Sequence, residues 1–396
     1  TLISIWTQYL MTNTIMMTIS HGLVSRNLLR NKFFELIKQE NIKLVIVTSA
    51  ADDKKFQDEF GSEKVILEKM LSNKHRPVRE RIINLLHAST MYNGTTEIKF
   101  KIREGKDKFI KLRSISRKVL AFIFGRSVLL RKLISVLDEF LLMDKVNDEL
   151  FNKYNPSILF CTSMLYSKEI DMIKSAKKRN IPVVGMVKSW DQLVKDIPVR
   201  LQPDLFLVWN EAMKYQAIHD QLFPSEKVRM VGIPQLDIYE KVKNENNYTR
   251  KQFMESIKAD PKKKLLLFAA EGKWSPSDPE FVKIIANFIK KNKLEYKCHL
   301  HVRPHFCFKN FLKPLFKLQD RDVVSVDTTW NKTEAFVDNW DPSYKDMIHL
   351  ANSMKFADIV ITTPSTIVLD ATYFNKPIIN IGFDESNRKD NEINVK

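Results

Sequence analysis

Glycine and cysteine are both scarce in this sequence. Its 396 residues include nine glycines and three cysteines, which are Cys161, Cys298 and Cys307. So few, unevenly placed cysteines exclude a disulfide framework and fit a reducing compartment such as the cytoplasm. So few glycines argue against a phosphate cradle built from glycine alone. The chain also has no P-loop, no Gly-x-Gly-x-x-Gly dinucleotide motif and no nucleophilic serine motif.

Long apolar runs are missing as well. The longest stretch of note, Val119–Leu130, is too short to span a bilayer and is interrupted by Gly125 and Arg126. The hydrophobic content of 44% and the charged content of 28% are those of a folded globular protein. A chain of this length predicts about two domains of ordinary size.

Positive charge is abundant and unevenly spread. The net charge is +17, and the segment from Lys99 to Lys132 holds twelve Lys or Arg residues against Glu104 and Asp107, which gives this segment +10. Apolar side chains interleave with these charges, and such a composition can seat a helix on an anionic membrane surface. A helix that packs its apolar stripe inward and solvates its charges is the alternative. Nucleic acid ranks lowest as a partner, because no nucleic-acid-binding module is recognisable.

Short apolar runs alternate with helical patterns along the chain. This alternation predicts parallel sheets with helices on both faces, and therefore an α/β fold. The predicted strands of the first half are 14–20, 44–48, 65–67, 158–161, 183–187, 205–209 and 228–231, and those of the second half are 265–269, 297–302, 323–326, 358–361 and 378–381. The predicted helices are 26–39, 77–89, 168–179, 211–221, 279–291, 343–355 and 365–374, with a long helical region over 110–154.

A polar stretch marks the boundary between two domains. Residues 232–264 contain Asn244–Asn247 and Asp260-Pro261 followed by three lysines, a composition typical of a connection. We therefore predict an N-terminal Rossmann-like domain over 11–235 and a C-terminal one over 236–396. A ligand site is expected in a cleft that the two domains face.

The stretch 356–380 predicts a strand, a tight loop, a helix and a second strand. Asp358–Ile361 is an apolar, β-branched run that ends before Pro364, and Ser365 or Thr366 is placed to N-cap the helix that carries Asp370. A helix N-terminus at the carboxyl end of a parallel strand suits a phosphate group. An ordinary strand-to-helix turn that binds nothing is the alternative.

Four segments in this order and spacing resemble one known fold family. The segments are Ile19–Gly22, Ser189–Asp191, Val231–Asp237 and Tyr373–Ile379, the last preceded by Ser365, Thr366 and Asp370. They resemble GT-B-fold nucleotide-dependent glycosyltransferases, and the branch they are most similar to is the bacterial surface-polymer branch that includes CDP-glycerol glycerophosphotransferases. The resemblance covers roughly Met11 to Phe383 and implies two Rossmann-like domains facing a central cleft, with the donor nucleotide bound by the C-terminal domain.

The chain departs from this family in two places. Its glycine-rich donor loop is reduced to Glu271-Gly272-Lys273, so that Gly272 is the one candidate for that role. GT-B chains usually finish with a helix that crosses back to the first domain, whereas this sequence ends soon after Phe383. We therefore expect either a truncated C-terminus or the absence of that helix.

Transfer from a nucleotide donor requires a grip on the diphosphate and stabilisation of its leaving charge. Ser365 and Thr366 are the candidates for the grip. Arg303 is the candidate for the charge, because a guanidinium can hold two phosphate oxygens. Period two places His299, His301 and Arg303 on one face of their strand, and Pro304 then turns His305 into the following loop. His305 is a candidate for contact with the leaving phosphate or for proton donation, and a salt bridge is the alternative role for Arg303.

A base must also take the proton of the acceptor hydroxyl. His21 is the first candidate, since it follows an apolar strand and precedes Gly22, which lets a backbone approach a ligand. Asp191 is the second candidate because Ser189-Trp190-Asp191 follows another strand. Trp190 is suited to stack on a sugar or a base, and plain packing is the alternative for both Trp190 and His21.

A metal site is not indicated by the ligand-type residues near position 300. Strand alternation points Cys298 away from His299 and His301, and the spacing to His305 and Cys307 matches no zinc pattern. We therefore expect neither a metal nor a cofactor, with positive side chains neutralising the diphosphate of a nucleotide-sugar or CDP-polyol co-substrate.

These features together predict a metal-independent GT-B glycosyltransferase that moves a sugar from a nucleotide-diphosphate donor to a carbohydrate or lipid-linked acceptor in cell-surface polysaccharide or glycolipid synthesis. It would be cytoplasmic and peripheral on the inner face of the plasma membrane through residues 99–132. The alternatives are a CDP-polyol phosphotransferase, a UDP-sugar epimerase of the same fold, and a non-catalytic membrane- or nucleic-acid-binding protein. The donor base, the acceptor, the stereochemistry and the oligomeric state have no signal in the sequence.

Overall fold

The chain folds into two compact units. The computed structural model describes residues 13–71, 77–91, 108–125, 127–141, 145–194, 198–245, 248–272, 275–305, 312–328, 333–363 and 365–382. Unit 1 comprises Thr1–Pro234 together with Ala335–Val337, and unit 2 comprises Gln235–Glu334 together with Asp338–Lys396. Part of the basic segment (99–107), Lys273, Cys307, Pro364 and the residues after Gly382 lie outside the described ranges.

Unit 1 is built on a seven-stranded sheet in the order β3-β2-β1-β4-β5-β6-β7, and all its described strand pairs are parallel. The strands are β1 (Thr14–Ile19), β2 (Lys43–Thr48), β3 (Val65–Lys69), β4 (Ile158–Cys161), β5 (Val183–Met186), β6 (Leu205–Val208) and β7 (Val228–Met230). The helices of unit 1 are α1 (Gly22–Leu29), α2 (Lys32–Gln39), α3 (Lys54–Phe60), α4 (Pro77–Ser89), α5 (Lys108–Phe124), α6 (Val128–Leu141), α7 (Asp148–Tyr154), α8 (Ser167–Lys178) and α9 (Glu211–His219), and a 3-10 turn covers Ser225–Lys227.

Both faces of this sheet are covered. Met16 of β1 lies in one buried cluster with Leu159, whereas its neighbours Ile15 and Met17 lie in a second cluster with Ile46. Successive side chains of a strand point to opposite faces, so a strand that feeds two cores needs apolar residues at every position. This requirement explains why the strands read as continuous apolar runs rather than as alternating ones.

Unit 2 repeats the same plan on a five-stranded parallel sheet in the order β10-β9-β8-β11-β12. The strands are β8 (Lys264–Ala269), β9 (Cys298–Arg303), β10 (Val324–Val326), β11 (Ile359–Thr362) and β12 (Ile378–Asn380). The helices are α10 (Leu236–Asn244), α11 (Arg250–Ser256), α12 (Asp278–Lys290), α13 (Leu312–Phe316), α14 (Tyr344–Phe356) and α15 (Ile367–Tyr373). The predicted α/β class, doubly wound with parallel sheets, is confirmed.

Strand order reverses at one place in each sheet. The chain winds outward from β1 to β3 and then returns to place β4 on the other side of β1, and unit 2 does the same around β8 with β11. Open α/β sheets bind ligands outside the carboxyl ends of the strands at such a switch point. The loops after β1 and β4, and those after β8 and β11, are therefore the places to look for function.

The single helix predicted over 26–39 is wrong, because the chain breaks it into α1 and α2. The Asn31 side chain accepts a hydrogen bond from the Phe33 N–H at 3.1 Å and so starts a new helix. Next to it, Arg30 is buried and forms an ion pair with Glu59 at 2.7 Å. A side-chain cap competes with continuation of a helix, and here the cap lies next to a charge pair of which only Arg30 is buried.

Helices also occupy the polar stretch that predicted only a connection. There α11 begins with a capping box, in which Thr249 and Gln252 satisfy each other's backbone N–H groups. Phe253 and Met254 are fully buried, so a short polar sequence is held by tertiary packing rather than by its own helix propensity. The short helices α3, α10 and α13 were also absent from the prediction, which recognised only longer patterns.

Candidate functional site

His21 stands at the switch point of unit 1, directly after β1. Its backbone carbonyl accepts the N–H groups of Val24 and Ser25 at 3.0 and 3.1 Å, which starts α1. The His21 side chain is 6% exposed and packs edge-on against the Tyr166 ring, with ring centroids 5.3 Å apart. The first base candidate is therefore a fixed residue in a largely dry environment.

A buried hydrogen-bond relay connects His21 to a carboxylate. Nδ1 of His21 lies 2.7 Å from Oγ of Ser20, and that hydroxyl donates in turn to Oε1 of Glu169. Ser20 has one proton, and it is used toward Glu169, so we assign the Nδ1 position of His21 as the donor to Ser20. The neutral imidazole then carries its lone pair on Nε2, which is the form that a general base requires.

Glu169 is the anchor of this relay. It projects from α8, is fully buried, and its Oε2 accepts Thr18 Oγ1 at 2.7 Å, the Ser163 N–H at 2.8 Å and Cys161 Sγ at 3.1 Å. Burial raises the pKa of Glu169, and the hydrogen bonds from Ser20 and the other donors act against that shift. A carboxylate held in this way can stabilise an imidazolium that forms when His21 takes a proton.

The other unit 1 candidates follow strand β5, which β4 separates from β1 in the sheet. Asp191 accepts a hydrogen bond from Ser189, and the Trp190 side chain is 39% exposed. Asn27 of α1 donates to the Lys188 carbonyl at 3.4 Å, which ties this turn to the helix that follows His21. Gly22 is the first residue of α1 and is buried. The Asp191 carboxylate serves its own turn, whereas Trp190 is free enough of packing to meet a ligand.

In unit 2 a carboxylate binds the backbone N–H groups of the loop after β8. Oδ2 of Asp278 accepts the N–H groups of Glu271 and Gly272 at 2.7 and 3.0 Å. Gly272 has φ of 62°, which favours glycine because it lacks a Cβ. Asp278 is 2% exposed, and burial raises its pKa to about 6. The two backbone donors that a glycine loop offers to a phosphate are thus already used by an internal anion.

Gly272 and His305 line one small pocket at the carboxyl ends of β8 and β9. Asp278, Pro304 and Leu315 are among the other residues that line it. The structure therefore brings together two residues that were predicted from separate segments of the sequence, one for the donor loop and one for the leaving phosphate.

The loop after β11 holds the predicted diphosphate grip. Ser365 Oγ accepts the Ile367 N–H at 3.3 Å, whereas Thr366 takes the N-cap position of α15 without a side-chain capping bond. Thr363 is buried, and in the part of the chain that the structure describes its Oγ1 has no hydrogen-bond partner. Asp370 accepts Gln235 Nε2 at 3.0 Å, which indicates a structural role at the start of α10.

Arg303 is committed to an ion pair. Its Nη1 lies against Oδ2 of Asp327, and His349 of α14 lies 3.4 Å from Oδ1 of the same carboxylate. Burial acts to raise the pKa of Asp327, but the Arg303 guanidinium and His349 outweigh it and hold that pKa well below its usual range. A role for Arg303 in phosphate binding stays a prediction. A bound phosphate would have to share the guanidinium with the buried carboxylate of Asp327.

Three side chains from different elements form the one group of metal-ligand type among the described residues. Ligand atoms of His301, Asp327 and His349 lie within 4.8 Å of one another. His301 is fully buried, and burial lowers its pKa to about 3. These residues could hold a divalent cation, but Arg303 already neutralises the carboxylate and would repel the ion. The expectation that no metal is needed stays a prediction.

Two further features concern the two histidines of β9 and an acidic motif before β10. His299 and His301 both bond to Ser325 Oγ at 2.9 Å, as strand alternation predicts. The expectation that the sequence lacks an Asp-x-Asp motif is wrong, because Asp320-Arg321-Asp322 is one. Asp320 pairs with Lys290 at 2.7 Å just before β10, at the amino end of the strand and therefore away from the switch point.

Sequence reasoning missed Ser20, Glu169 and Asp278. One signal for Glu169 was present, since it shares a helix face with Met172, Ile173 and Ala176, so that a carboxylate interrupts an apolar stripe. The link to Ser20 joins positions 149 residues apart and has no local signature. Asp278 follows Ser277 and precedes Pro279, which reads as an ordinary helix start.

Comparison with known proteins gives structural but no sequence relatives. No protein-family model matches the chain, and no curated protein matches it. The solved UDP-GlcNAc 2-epimerase of Neisseria meningitidis is 12% identical with a TM-score of 0.50, over 94% of this chain and 83% of that one. The Methanocaldococcus jannaschii enzyme is 12% identical with a TM-score of 0.50, over 94% and 84%. A putative UDP-N-acetylglucosamine 2-epimerase from Listeria monocytogenes is 9% identical with a TM-score of 0.51, over 93% and 79%.

At these identities the likeness shows the fold alone. The matched proteins are GT-B-like, they cover nearly the whole chain, and the two parallel sheets agree with them. The resemblance to the CDP-glycerol branch stays a prediction. The chain has the GT-B-like fold of nucleotide-dependent glycosyltransferases and UDP-GlcNAc 2-epimerases.

Proposed function

We propose that this protein is a nucleotide-sugar-dependent glycosyltransferase in which His21 is the general base. The observation that carries the proposal is the relay from His21 through Ser20 to the buried Glu169, at the switch point where the fold favours a ligand. In this role Nε2 of His21 takes the proton of the acceptor hydroxyl as the hydroxyl oxygen attacks the sugar carbon. The nucleoside diphosphate leaves with the electron pair of the broken bond.

Unit 2 is proposed to bind the donor. The matched Neisseria structure is bound to UDP-GlcNAc, and a matched Staphylococcus aureus structure contains UDP, so a uridine donor is the first choice for this chain. The pocket beside Gly272 and His305 and the loop from Thr363 to Thr366 are the candidate contacts. Positive side chains rather than a metal are expected to balance the diphosphate charge.

The acceptor is proposed to be a carbohydrate or a lipid-linked sugar at an anionic membrane surface. Among the described residues, no helix is long and apolar enough to cross a membrane. However, α4 packs against both α5 and α6, and large apolar side chains of α5 and α6 are left exposed. The most exposed are Phe122 (75%), Ile123 (61%), Leu129 (80%), Leu133 (63%) and Phe140 (68%). Apolar side chains on a basic segment favour peripheral binding to the inner face of a plasma membrane.

A UDP-sugar epimerase is the second candidate, because the matched solved structures named above are 2-epimerases. A CDP-polyol phosphotransferase remains an alternative through the predicted resemblance. A non-catalytic membrane-binding protein would retain the exposed face of α5 and α6 without needing the His21 relay. Exchange of the C2 proton with a donor alone separates the epimerase from the other candidates, and nucleotide binding separates those from one another.

The deciding experiment incubates the protein with UDP-GlcNAc in D2O without an acceptor and follows the sugar by NMR. An epimerase must break the C2–H bond and so exchanges that proton for deuterium, whereas a transferase leaves the C2 proton in place. Calorimetry with UDP, CDP, GDP and ADP, each with and without EDTA, identifies the donor base. Tight binding of CDP alone would favour the polyol-phosphate alternative, and binding of no nucleotide would contradict the enzyme proposal.

A further inference from the structure

A groove runs along α6 in unit 1, away from the residues of the relay. Its empty space is about 850 Å³, counting the part that is open to solvent. Its lining includes the apolar residues Val128, Val136 and Leu201 and three lysines, Lys132, Lys177 and Lys227, which we call the rim lysines. We call this feature the α6 groove.

The lining of the α6 groove carries more positive than negative charge. Within the described ranges, none of the three rim lysines forms a salt bridge, although exposed lysines elsewhere in unit 1, such as Lys153 and Lys178, do so. Glu139 is the single acidic residue of the lining. Uncompensated positive charge around a concave surface attracts an anion.

A buried cation reinforces this asymmetry. Arg131 lines the groove, is 4% exposed, and donates to the backbone carbonyls of Asp220 and Thr90 rather than to a carboxylate. Its Nε has no hydrogen-bond partner in the described part of the chain. Burial lowers the pKa of Arg131 to about 10, and the nearby negative charge of Asp220 offsets only part of that shift. A bound anion near Arg131 would add a second negative charge to that of Asp220 and stabilise the buried cation further.

The apolar part of the groove distinguishes among anions. Val128 and Val136 are 45% and 51% exposed, and the same helix carries the exposed Leu129 and Leu133. A free phosphate ion gains nothing from contact with an apolar surface. A lipid with a phosphorylated head can contact both the lysines and the apolar side chains. The groove is also continuous along α6 with the apolar face assigned above to membrane contact.

We propose that the α6 groove binds the phosphorylated end of a single membrane lipid. The rim lysines and Arg131 surround the phosphate, and the valines and Leu201 contact the first part of the hydrocarbon chain. The site deepens the membrane contact of the proposed function by naming the lipid chemistry that the protein recognises. It requires neither the donor nor turnover, so its failure and the failure of the proposed function are distinguishable.

Calorimetry with dodecyl phosphate below its micelle concentration tests the site directly. The test variant is Lys132→Gln/Lys177→Gln/Lys227→Gln, and the matched control is Lys32→Gln/Lys54→Gln/Lys55→Gln, which removes the same charge from exposed positions elsewhere in unit 1. Circular dichroism and thermal unfolding confirm that both variants fold. We expect the test variant to bind dodecyl phosphate roughly a hundredfold more weakly, and the control to bind it as the wild type does.

Two comparisons separate the parts of the site. Inorganic phosphate and dodecyl maltoside should each bind much more weakly than dodecyl phosphate, and Val136→Asp should weaken dodecyl phosphate binding without unfolding the protein. Equal binding of inorganic phosphate would identify a free-phosphate site and overturn the lipid proposal. Equal losses in the test and control variants, or tight binding of dodecyl maltoside, would overturn it as well.

A vesicle experiment distinguishes the groove from the exposed helix face. Phe122→Ser/Ile123→Ser should reduce co-sedimentation with phosphatidylglycerol vesicles but leave dodecyl phosphate binding unchanged. If this variant lost dodecyl phosphate binding to the same extent, the amphiphile would be adsorbing to the exposed face, and the groove would not be its site.

Discussion

The two switch points of this molecule have the same topology and different chemistry. Each sheet reverses its strand order beside its first strand, and each places a buried carboxyl group there, Glu169 in unit 1 and Asp278 in unit 2. Burial raises the pKa of both groups. The difference lies in their donors. Glu169 accepts mostly from side chains, one of which, Ser20, leads to His21, whereas two loop backbone N–H groups bind Asp278.

This difference separates an arrangement suited to proton transfer from one that fixes a loop. A carboxylate that reaches a histidine through a hydroxyl can respond to a proton taken up at Nε2. A carboxylate that holds two backbone N–H groups fixes the loop and fills the place of an anion. The fold sets where a ligand binds, and the loop residues set what the position does.

The largest expected effect is a loss of turnover when His21, the last residue of the relay, is replaced. His21→Ala should lower turnover about a thousandfold, because it removes the proposed general base. Binding of the nucleotide, measured by calorimetry, should not change, since the donor contacts are assigned to unit 2. His219→Ala, at another histidine of unit 1, is the control and should keep full turnover. Retained activity in His21→Ala would contradict the proposed catalytic role of unit 1. The two switch points would then no longer differ in function.

Arg303→Ala tests whether the second unit uses this side chain for structure or for the ligand. The substitution leaves the buried Asp327 without its guanidinium, so we expect a loss of about 3 kcal/mol in the free energy of unfolding, measured by urea denaturation. Lys290→Ala breaks an exposed pair with Asp320 and should cost less than about 1 kcal/mol. Unchanged stability together with lost nucleotide binding would show that Arg303 serves the donor rather than the fold.

Asp278→Asn tests the internal anion of unit 2 through pH. The folded pKa of about 6 lies above the ordinary value of 3.8, so ionisation costs more in the folded state than in the unfolded state. The contribution of Asp278 to stability is therefore greatest below about pH 4 and falls as the pH rises to about 6, by roughly 2–3 kcal/mol in all. The wild type should lose stability relative to Asp278→Asn over this range in parallel urea titrations. A constant difference would show that Asp278 is not buried as the structure indicates.

Ser20→Ala should have the smallest of the four effects on the protein, and the effect should be specific to the relay. It removes the acceptor of the His21 Nδ1 proton, so we expect turnover to fall roughly tenfold and the acidic limb of the pH–rate profile, which reports protonation of the base, to shift. Thr18→Val is the matched control, because Thr18 also donates to Glu169 but the described contacts give it none with His21. Equal effects of both substitutions would mean that Ser20 supports only the packing around Glu169.

The sequence was sufficient for the fold because local pattern and burial agree there. Residues 158–161, for example, form the predicted strand, and 77–89 form the predicted helix. The helix predicted over 26–39 failed because Asn31 caps a new helix and Arg30 finds Glu59 across the fold. The ion pair depends on a partner 29 residues away, which no periodicity reveals.

The candidate site was predictable only in its outer residues. His21, Gly272 and His305 each follow a strand, and that position is visible in a sequence. The partners that decide their chemistry, Glu169 and Asp278, act through contacts that exist only after the sheet has formed. A buried carboxyl group is costly unless donors surround it, and those donors come from elements distant in the sequence.

The position of β1 has a consequence for synthesis on the ribosome. This strand is made before both of its partners and can pair early with β2, yet its other edge is completed by β4, whose first residue is Ile158. Translation adds about 5–20 residues per second, so roughly 110 residues beyond Thr48 take about 5–20 s to emerge. During that interval the nascent chain presents an apolar, unpaired strand edge to its surroundings. Productive folding in the cell should therefore depend on chaperones that shield the early N-terminal strands until β4 arrives.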